Sequence, residues 1–312
     1  MFRSPVLWTL VIAATLLSGC VSNATGRRQL LLISLAQEVE LGAQAFDEMK
    51  AKEKPCGNAQ ARAVVAEIGK RIASVSPQPK WGWTFELFDA PKTLNAFALP
   101  GGKVGVYTGL LGPANNAAGL AAVLGHEVAH AILRHGAERV SQGLVVQAGV
   151  DAAGIAFENS AHKKTILASL GLGAQLGVML PYSRDMESEA DAIGLMYMAA
   201  AGYDPTEAVA FWERFRKATG ASKTPELLST HPATDKRIAA LKAALPKAQA
   251  LYAKSARIGR GVGLSVPKCN ESTMPSSGPS APASTAPAAA PAPAPSPAPS
   301  SSSPPRPGRP GK

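Results

Sequence analysis

The chain of 312 residues is 46% hydrophobic, 17% charged and 5% aromatic, long enough for one substantial core or two small ones and low in charge and aromatics for a globular protein. A net charge of +10, from 32 basic and 22 acidic residues, suits nucleic acid, an anionic membrane surface or acidic partners. No helix-turn-helix, zinc-finger or aromatic/basic RNA-binding pattern accompanies that charge, so nucleic acid is discounted and a basic surface near a membrane is the better reading.

The first stretch, MFRSPVLWTLVIAATLLSGC, has an early Arg3, an apolar run from Val6 to Leu17 and then Leu17-Ser18-Gly19-Cys20. That run is too short for a membrane span and reads as a signal peptide over 1–19. Its ending resembles the lipobox of bacterial lipoproteins, which implies lipidation of Cys20; a plain signal peptide followed by an accidental cysteine is the alternative. Val21, where an aspartate is absent, resembles lipoproteins sorted to the outer membrane. Residues 20–33 then read as a tether. Of the remaining cysteines, Cys56 and Cys269 form an even pair near the two ends of the globular region. An oxidising compartment would join them, the alternative being two free thiols. Neither lies in a C-x-x-C unit, so cysteine-based zinc binding is not expected.

Ser34, with Gln37 three residues on, forms a capping box for a helix through LAQEVELGAQAFDEMKAK. A second helix runs from about Asn58 to Val75, with Val64, Val65, Ile68 and Ile72 at helical spacing. WTFELFD (83–89) alternates as a strand, and Pro100-Gly101-Gly102 marks the turn of a hairpin within 94–111. A helix from about Asn116 to Arg139 carries H-E-x-x-H. The Ala/Gly/Leu/Val-rich segment 142–180 is broken by Gln147, Asp151 and Gln175, which favours buried helices over a membrane insertion. Further helices are expected over 183–205, 205–219 and 235–253. The Pro/Ala/Ser-rich tail 270–312 has almost nothing to bury and is expected to be disordered; its Arg306, Arg309 and Lys312 are read by default as solvated, contact with envelope polymers being the alternative. The folded domain is therefore expected over 34–269.

His126 and His130, four apart on a helix, share a face and can hold one metal ion, and Glu127 can reach a water beside it. This is a metalloprotease arrangement: zinc acidifies water and Glu127 takes the proton. The flanking Val123, Leu124, Val128, Ala131 and Ile132 bury the helix, and a buried His/Glu/His group without a metal would be costly. Leu133 and Gly136 occupy the places where one metalloprotease class needs glycine and histidine, so the third ligand must come from elsewhere. His135 faces another way and reads as supporting or structural. In SRDMESEAD (183–191), Glu187 and Asp191 share a face while Glu189 points elsewhere. Glu187 is therefore assigned to zinc, and Asp191 to the other nitrogen of a ligand histidine. A solvated acidic helix start is the bland alternative.

HEVAHAILRHGAER, SRDMESEAD and STHPATDKRIAAL (229–241) together resemble the HtpX and CAAX-prenyl-protease type of gluzincin metallopeptidase. TGRRQLLLIS and NAFALPGGKVGVYTGLL resemble its BepA- and LoiP-like branch of soluble periplasmic lipoproteins. The likeness spans roughly residues 25–245. It implies a mainly α-helical, zincin-like α+β fold around a small antiparallel sheet, one Zn2+ on His126, His130 and Glu187, and Glu127 as base. His231 would stabilise the oxyanion, mask the open zinc position, or be structural. Arg237 would brace His231 or Asp191 or bind the oxyanion, and Tyr182 is a weaker oxyanion donor. The strand 103–107 can pair with extended substrate if it lies at a sheet edge, the alternative being a core strand. The leading expectation is a lipid-anchored periplasmic endopeptidase, acting on unfolded, misfolded or stalled envelope proteins and linked to outer-membrane protein assembly. The alternative is a client-binding assembly factor whose zinc is masked by His231. A prenyl-protein protease would need several membrane spans, and no wall-binding module suggests a peptidoglycan hydrolase.

Overall fold

The computed structural model describes residues 20–152, 183–219, 231, 234–261 and 264–269, with 146–152 described by their backbone alone. The expectations for the signal peptide, for most of 142–180, for Tyr182 and for the tail fall outside those residues. Among the described residues, no helix is long and apolar enough to cross a membrane.

The described residues open with a small hairpin, β1 (Cys20–Ser22) antiparallel to β2 (Arg28–Leu30). Residues 20–33, expected only as a tether, are thus folded. Ser34 and Gln37 form the expected reciprocal box at the start of α1 (Leu35–Lys52). Asn58 accepts from Gln60 and Ala61 to start α2 (Ala59–Ala73). Each cap satisfies amide groups that a helix start leaves without a partner.

Three strands follow: β3 (Thr84–Phe88), β4 (Ala96–Leu99) and β5 (Lys103–Tyr107). Gly101 and Gly102, at φ 76° and 80°, make the turn of the β4–β5 hairpin, a backbone region that side chains with a Cβ rarely enter. The expected hairpin is antiparallel, but β3 pairs parallel to β5, from Thr84↔Lys103 to Phe88↔Tyr107. The sheet is therefore mixed, in the order β3-β5-β4. β5 fills the centre, which decides between the edge and core places left open for it in favour of the core; the hairpin strand at the edge is β4. Sheet order of this kind is set by where the chain crosses over, which alternation along one strand cannot reveal.

A short helix α3 (Leu111–Ala114) leads to α4 (Ala117–Ile132), capped by Asn116 accepting from Gly119 at 2.8 Å. Helix α4 is buried almost all round. Leu120, Leu124 and Val128 lie in one apolar core with Val65, Ile68 and Ile72 of α2 and Val104 and Val106 of β5. Each such side chain contributes about 1.5–3 kcal/mol of burial.

The expected single helix through Arg139 is in fact two. It stops at Leu133 and Arg134, the latter at φ 58°, and α5 (His135–Ala152) begins afresh. Helix α6 (Arg184–Ala200) is capped by Ser183, and α7 (Thr206–Thr219) supplies Phe211 and Phe215 to the core. Helix α8 (Asp235–Ala253) starts from Thr234. Cys56 and Cys269 are joined by a disulfide with their Cα atoms 5.5 Å apart. The architecture is mainly helical around a small sheet, the zincin-like class expected from the sequence.

Candidate metal centre

Two helices build the site. The pitch of α4 sets His126 and His130 on one face, and α6 lies directly across from them because Gly125 and Gly194 let the two backbones touch. That contact carries Glu187 and Asp191 to the two histidines.

His126 Nε2 lies 3.0 Å from His130 Nε2 and 3.5 Å from Glu187 Oε2, and His130 Nε2 lies 3.4 Å from Glu187 Oε1. Ligands bound to one tetrahedral zinc at about 2.0–2.1 Å would stand roughly 3.3 Å apart. The His231 ring joins the group, with Nδ1 2.8 Å from Glu187 Oε1 and 3.1 Å from His126 Nε2. One donor atom from each of the four residues lies within 4.8 Å of the others, and all four residues are buried.

The surrounding hydrogen bonds give this cluster its meaning. His126 Nδ1 sits 3.0 Å from Asp191 Oδ1, a carboxylate to which it donates a hydrogen bond. His135 Nε2 sits 3.0 Å from Glu189 Oε2, and His135 Nδ1 sits 2.8 Å from His130 Nδ1. With His135 Nε2–H donating to Glu189, His135 Nδ1 is an acceptor and His130 donates to it from Nδ1. Both Nε2 atoms then turn lone pairs toward one another. Such a pair needs positive charge between or beside it, supplied by a metal ion or a proton. The field is arranged for it. Burial disfavours a charged His126, yet the Asp191 hydrogen bond and the Glu187 and Asp191 charges outweigh it and raise the pKa. Burial and the His126 charge drive His130 well below its ordinary value. Burial would likewise raise the pKa of Glu187, but the charge and hydrogen bonds of His231, His130 and His126 hold it well below the carboxylate range. The donor set fits zinc.

Asp191 is fixed in turn by Arg237, whose Nε and Nη2 each donate to it at 2.7 Å. Arg237 Nη1 also lies 2.8 Å from Glu187 Oε2, and the guanidinium sits 4.4 Å from the centre of the Trp212 ring. Of the roles expected for Arg237, the geometry matches the bracing of Asp191. Glu189, expected to point away, instead holds His135, because the break at Leu133–Arg134 turns His135 back toward His130. A continuous helix would have sent it elsewhere, and neither a glycine nor a proline at the break signals it.

Both oxygens of Glu127 are buried without a hydrogen-bond partner among the described residues. Burial raises its pKa, offset in part by the charge of His231, whose Nε2 is 3.7 Å from Glu127 Oε1. A buried carboxylate beside convergent metal-binding atoms is placed to exchange a proton.

A helix carrying His-Glu-x-x-His, facing a glutamate on a second helix beside a small mixed sheet, is the arrangement characteristic of zincin-type metallopeptidases. The chain belongs to peptidase family M48, which residues 59–245 match. It is 41% identical over 186 residues to the mitochondrial metalloendopeptidase OMA1 of Schizosaccharomyces pombe, covering 59% of this chain and 53% of that protein. The human mitochondrial metalloendopeptidase OMA1 is 32% identical over 246 residues, covering 73% of this chain and 46% of that protein. The beta-barrel assembly-enhancing protease of Escherichia coli is 28% identical over 213 residues, covering 66% of this chain and 43% of that protein. The chain spans about half the length of the curated relatives it matches.

Proposed function

We propose that this protein is a zinc-dependent metalloendopeptidase, with His126, His130 and Glu187 holding the metal and Glu127 as the general base. The observation that carries the reading is the convergence of donor atoms from both α4 histidines and Glu187, with Glu127 buried alongside them. Zinc supplies Lewis acidity, which acidifies water and polarises a peptide carbonyl. Glu127, its pKa raised by burial, takes a proton from the attacking water and can return it to the leaving amine. Asp191 and His135 keep the two ligand histidines in the tautomers that face the metal. An extended substrate would add to β4, the sheet edge beside the hairpin.

As substrates we propose unfolded, misfolded or stalled proteins of a bacterial envelope, cut by an enzyme anchored through lipid on Cys20 and facing the periplasm, on the outer membrane. The apolar run ending in Leu17-Ser18-Gly19-Cys20 supports that location, and the relative named for β-barrel assembly supports a link to outer-membrane protein assembly. The stronger matches to mitochondrial proteins make a mitochondrial location the rival.

A second reading rests on His231. Its Nδ1 lies among the metal-binding atoms, where it would hold the fourth zinc position and keep the enzyme latent while clients bind. The test follows casein cleavage by the full-length, zinc-loaded chain beside Glu127→Gln and His231→Ala. Cleavage lost by about 10²-fold or more in Glu127→Gln, with zinc retained, supports the protease and its base. A silent wild type that His231→Ala awakens supports latency. Silence in all three with zinc bound overturns the enzyme reading.

A further inference from the structure

We propose that Arg27, on the N-terminal β1–β2 hairpin, is a positioning residue for the metal ligand His130, acting through Glu189 and His135. The inference rests on the zinc reading above and extends it to a segment outside the matched family region, which begins at residue 59.

The connection is continuous. Arg27 Nε donates to Glu189 Oε2 at 2.8 Å, the same oxygen lies 3.0 Å from His135 Nε2, and His135 Nδ1 lies 2.8 Å from His130 Nδ1. The other end of the guanidinium is fixed by Glu138, with Nη1 and Nη2 donating to its two oxygens at 2.8 and 2.6 Å. Glu189 is held from the hairpin a second time. Asn23 donates to Oε1 at 2.9 Å and the Thr25 hydroxyl donates to the same atom. One carboxylate therefore takes three donors from residues 23–27 and one from the histidine behind the metal ligand.

The hairpin also grips the end of the metal helix. Gln29 Nε2 donates to the carbonyl of Leu133 at 2.8 Å, just where α4 stops, and to Glu138 at 3.1 Å. The Leu32 amide donates to the Ser141 hydroxyl at 2.8 Å. A helix end leaves carbonyls without partners, and here the hairpin supplies one. Gln29, Glu138 and His135 are buried and Arg27 and Glu189 half-buried, with only Thr25 exposed, so the network reaches from the surface to the buried histidine and is more than an isolated surface ion pair.

The physical role follows from the tautomer. His130 offers its Nε2 lone pair to a metal in the tautomer that carries hydrogen on Nδ1, and an acceptor at Nδ1 favours that tautomer. His135 is such an acceptor when its own hydrogen points to Glu189. Arg27, Asn23 and Thr25 fix the rotamer of Glu189 that receives it. Partners that hydrogen-bond a metal ligand directly, as His135 bonds His130, commonly change metal affinity by about 10–100-fold.

The experiment titrates the metal-stripped, full-length chain with zinc against a competing chelator, comparing wild type with Arg27→Gln, Arg27→Lys and Glu189→Gln, and records melting with and without zinc. Expected are a roughly 10-fold or greater weakening of zinc binding in Glu189→Gln, a similar direction in Arg27→Gln, and partial rescue in Arg27→Lys. The zinc-induced rise in melting temperature should shrink in parallel. Variants that are folded and bind zinc as wild type does, with melting lowered equally in both states, would reduce Arg27 to a clamp and overturn the proposal. If Arg27→Gln does not fold, Glu189→Gln, nearly isosteric, decides alone. A wild type that binds no zinc would instead sink the zinc reading itself.

Discussion

Gly125 of α4 and Gly194 of α6 stand back to back: a Cβ on Gly194 would come within 2.7 Å of the Gly125 carbonyl carbon, and one on Gly125 within 2.7 Å of the Gly194 oxygen. The obstructing atoms are backbone, so the helices must part to admit even a methyl group. His126 follows Gly125 directly with His130 just over a turn beyond it, and Asp191 and Glu187 lie about one and two turns before Gly194. Gly194→Ala should therefore cost about 1–3 kcal/mol in stability and weaken zinc binding by about 10-fold or more, because a shift approaching 1 Å separates donors that must share one ion. Gly112→Ala, where a Cβ meets nothing within 4 Å, is the control. Thermal melting and chelator competition measure both effects, and a Gly194→Ala protein that binds zinc normally would show that the close approach does not set the site.

Asp191 joins His126 to Arg237, accepting from one ring nitrogen and two guanidinium nitrogens. Burial would raise its pKa, but the Arg237 hydrogen bonds and charge hold it below the ordinary value. Asp191→Asn keeps the shape and removes the charge, so zinc affinity should fall by about 10–100-fold. Asp191→Ala strips a buried guanidinium of two charge-assisted bonds and should cost about 3–5 kcal/mol. Equal zinc affinity in Asp191→Asn and wild type would assign Asp191 to packing alone.

The site was legible where it is local. His126, Glu127 and His130 follow from helical pitch, and Glu187 with Asp191 from the same rule applied to α6; the structure brings all five together. What stayed hidden depends on distant chain. The place of β5 between β3 and β4 is set by a crossover, and the break at Leu133–Arg134 falls at residues with no breaker chemistry. That break brings Glu189, expected to point elsewhere, onto His135, and gives His135 the supporting one of the two roles expected for it. The partners of Glu189 come from residues 23–27, more than 160 positions earlier in the chain, a separation no periodicity can bridge.

Acid should expose the same carboxylate. Burial works to raise the pKa of Glu189, yet hydrogen bonds from His135, Thr25, Asn23 and Arg27 bring it below its ordinary value. A depressed carboxylate contributes stability that is fully present above its unfolded value, about 4.3, and is lost as pH falls through the folded one. In metal-free protein, Glu189→Gln should melt lower than wild type by a constant margin from pH 7 to about pH 5, and the margin should narrow on further acidification. A margin that is the same at pH 3 and pH 7 would mean the ion pairs at Glu189 contribute nothing to stability.

The Cys56–Cys269 disulfide closes a loop of 213 residues and ties the last described segment to the sheet, since the Cys56 amide donates to Leu87 of β3 at 2.8 Å. Asn58, which caps α2, also donates to the Lys268 carbonyl at 3.0 Å, so the join holds a helix start as well. Removing it should destabilise the protein by about 2–5 kcal/mol, chiefly by freeing the unfolded chain. Reductant should lower the melting temperature of wild type and leave a Cys56→Ser/Cys269→Ser double variant unchanged. A wild type indifferent to reductant would mean the bond contributes no stability. Thiol labelling without reductant on protein taken directly from cells extends the test to location. Labelling of Cys56 and Cys269 there would place the chain in a reducing compartment and count against the envelope proposal; their protection supports it, because such a bond persists where thiols are oxidised.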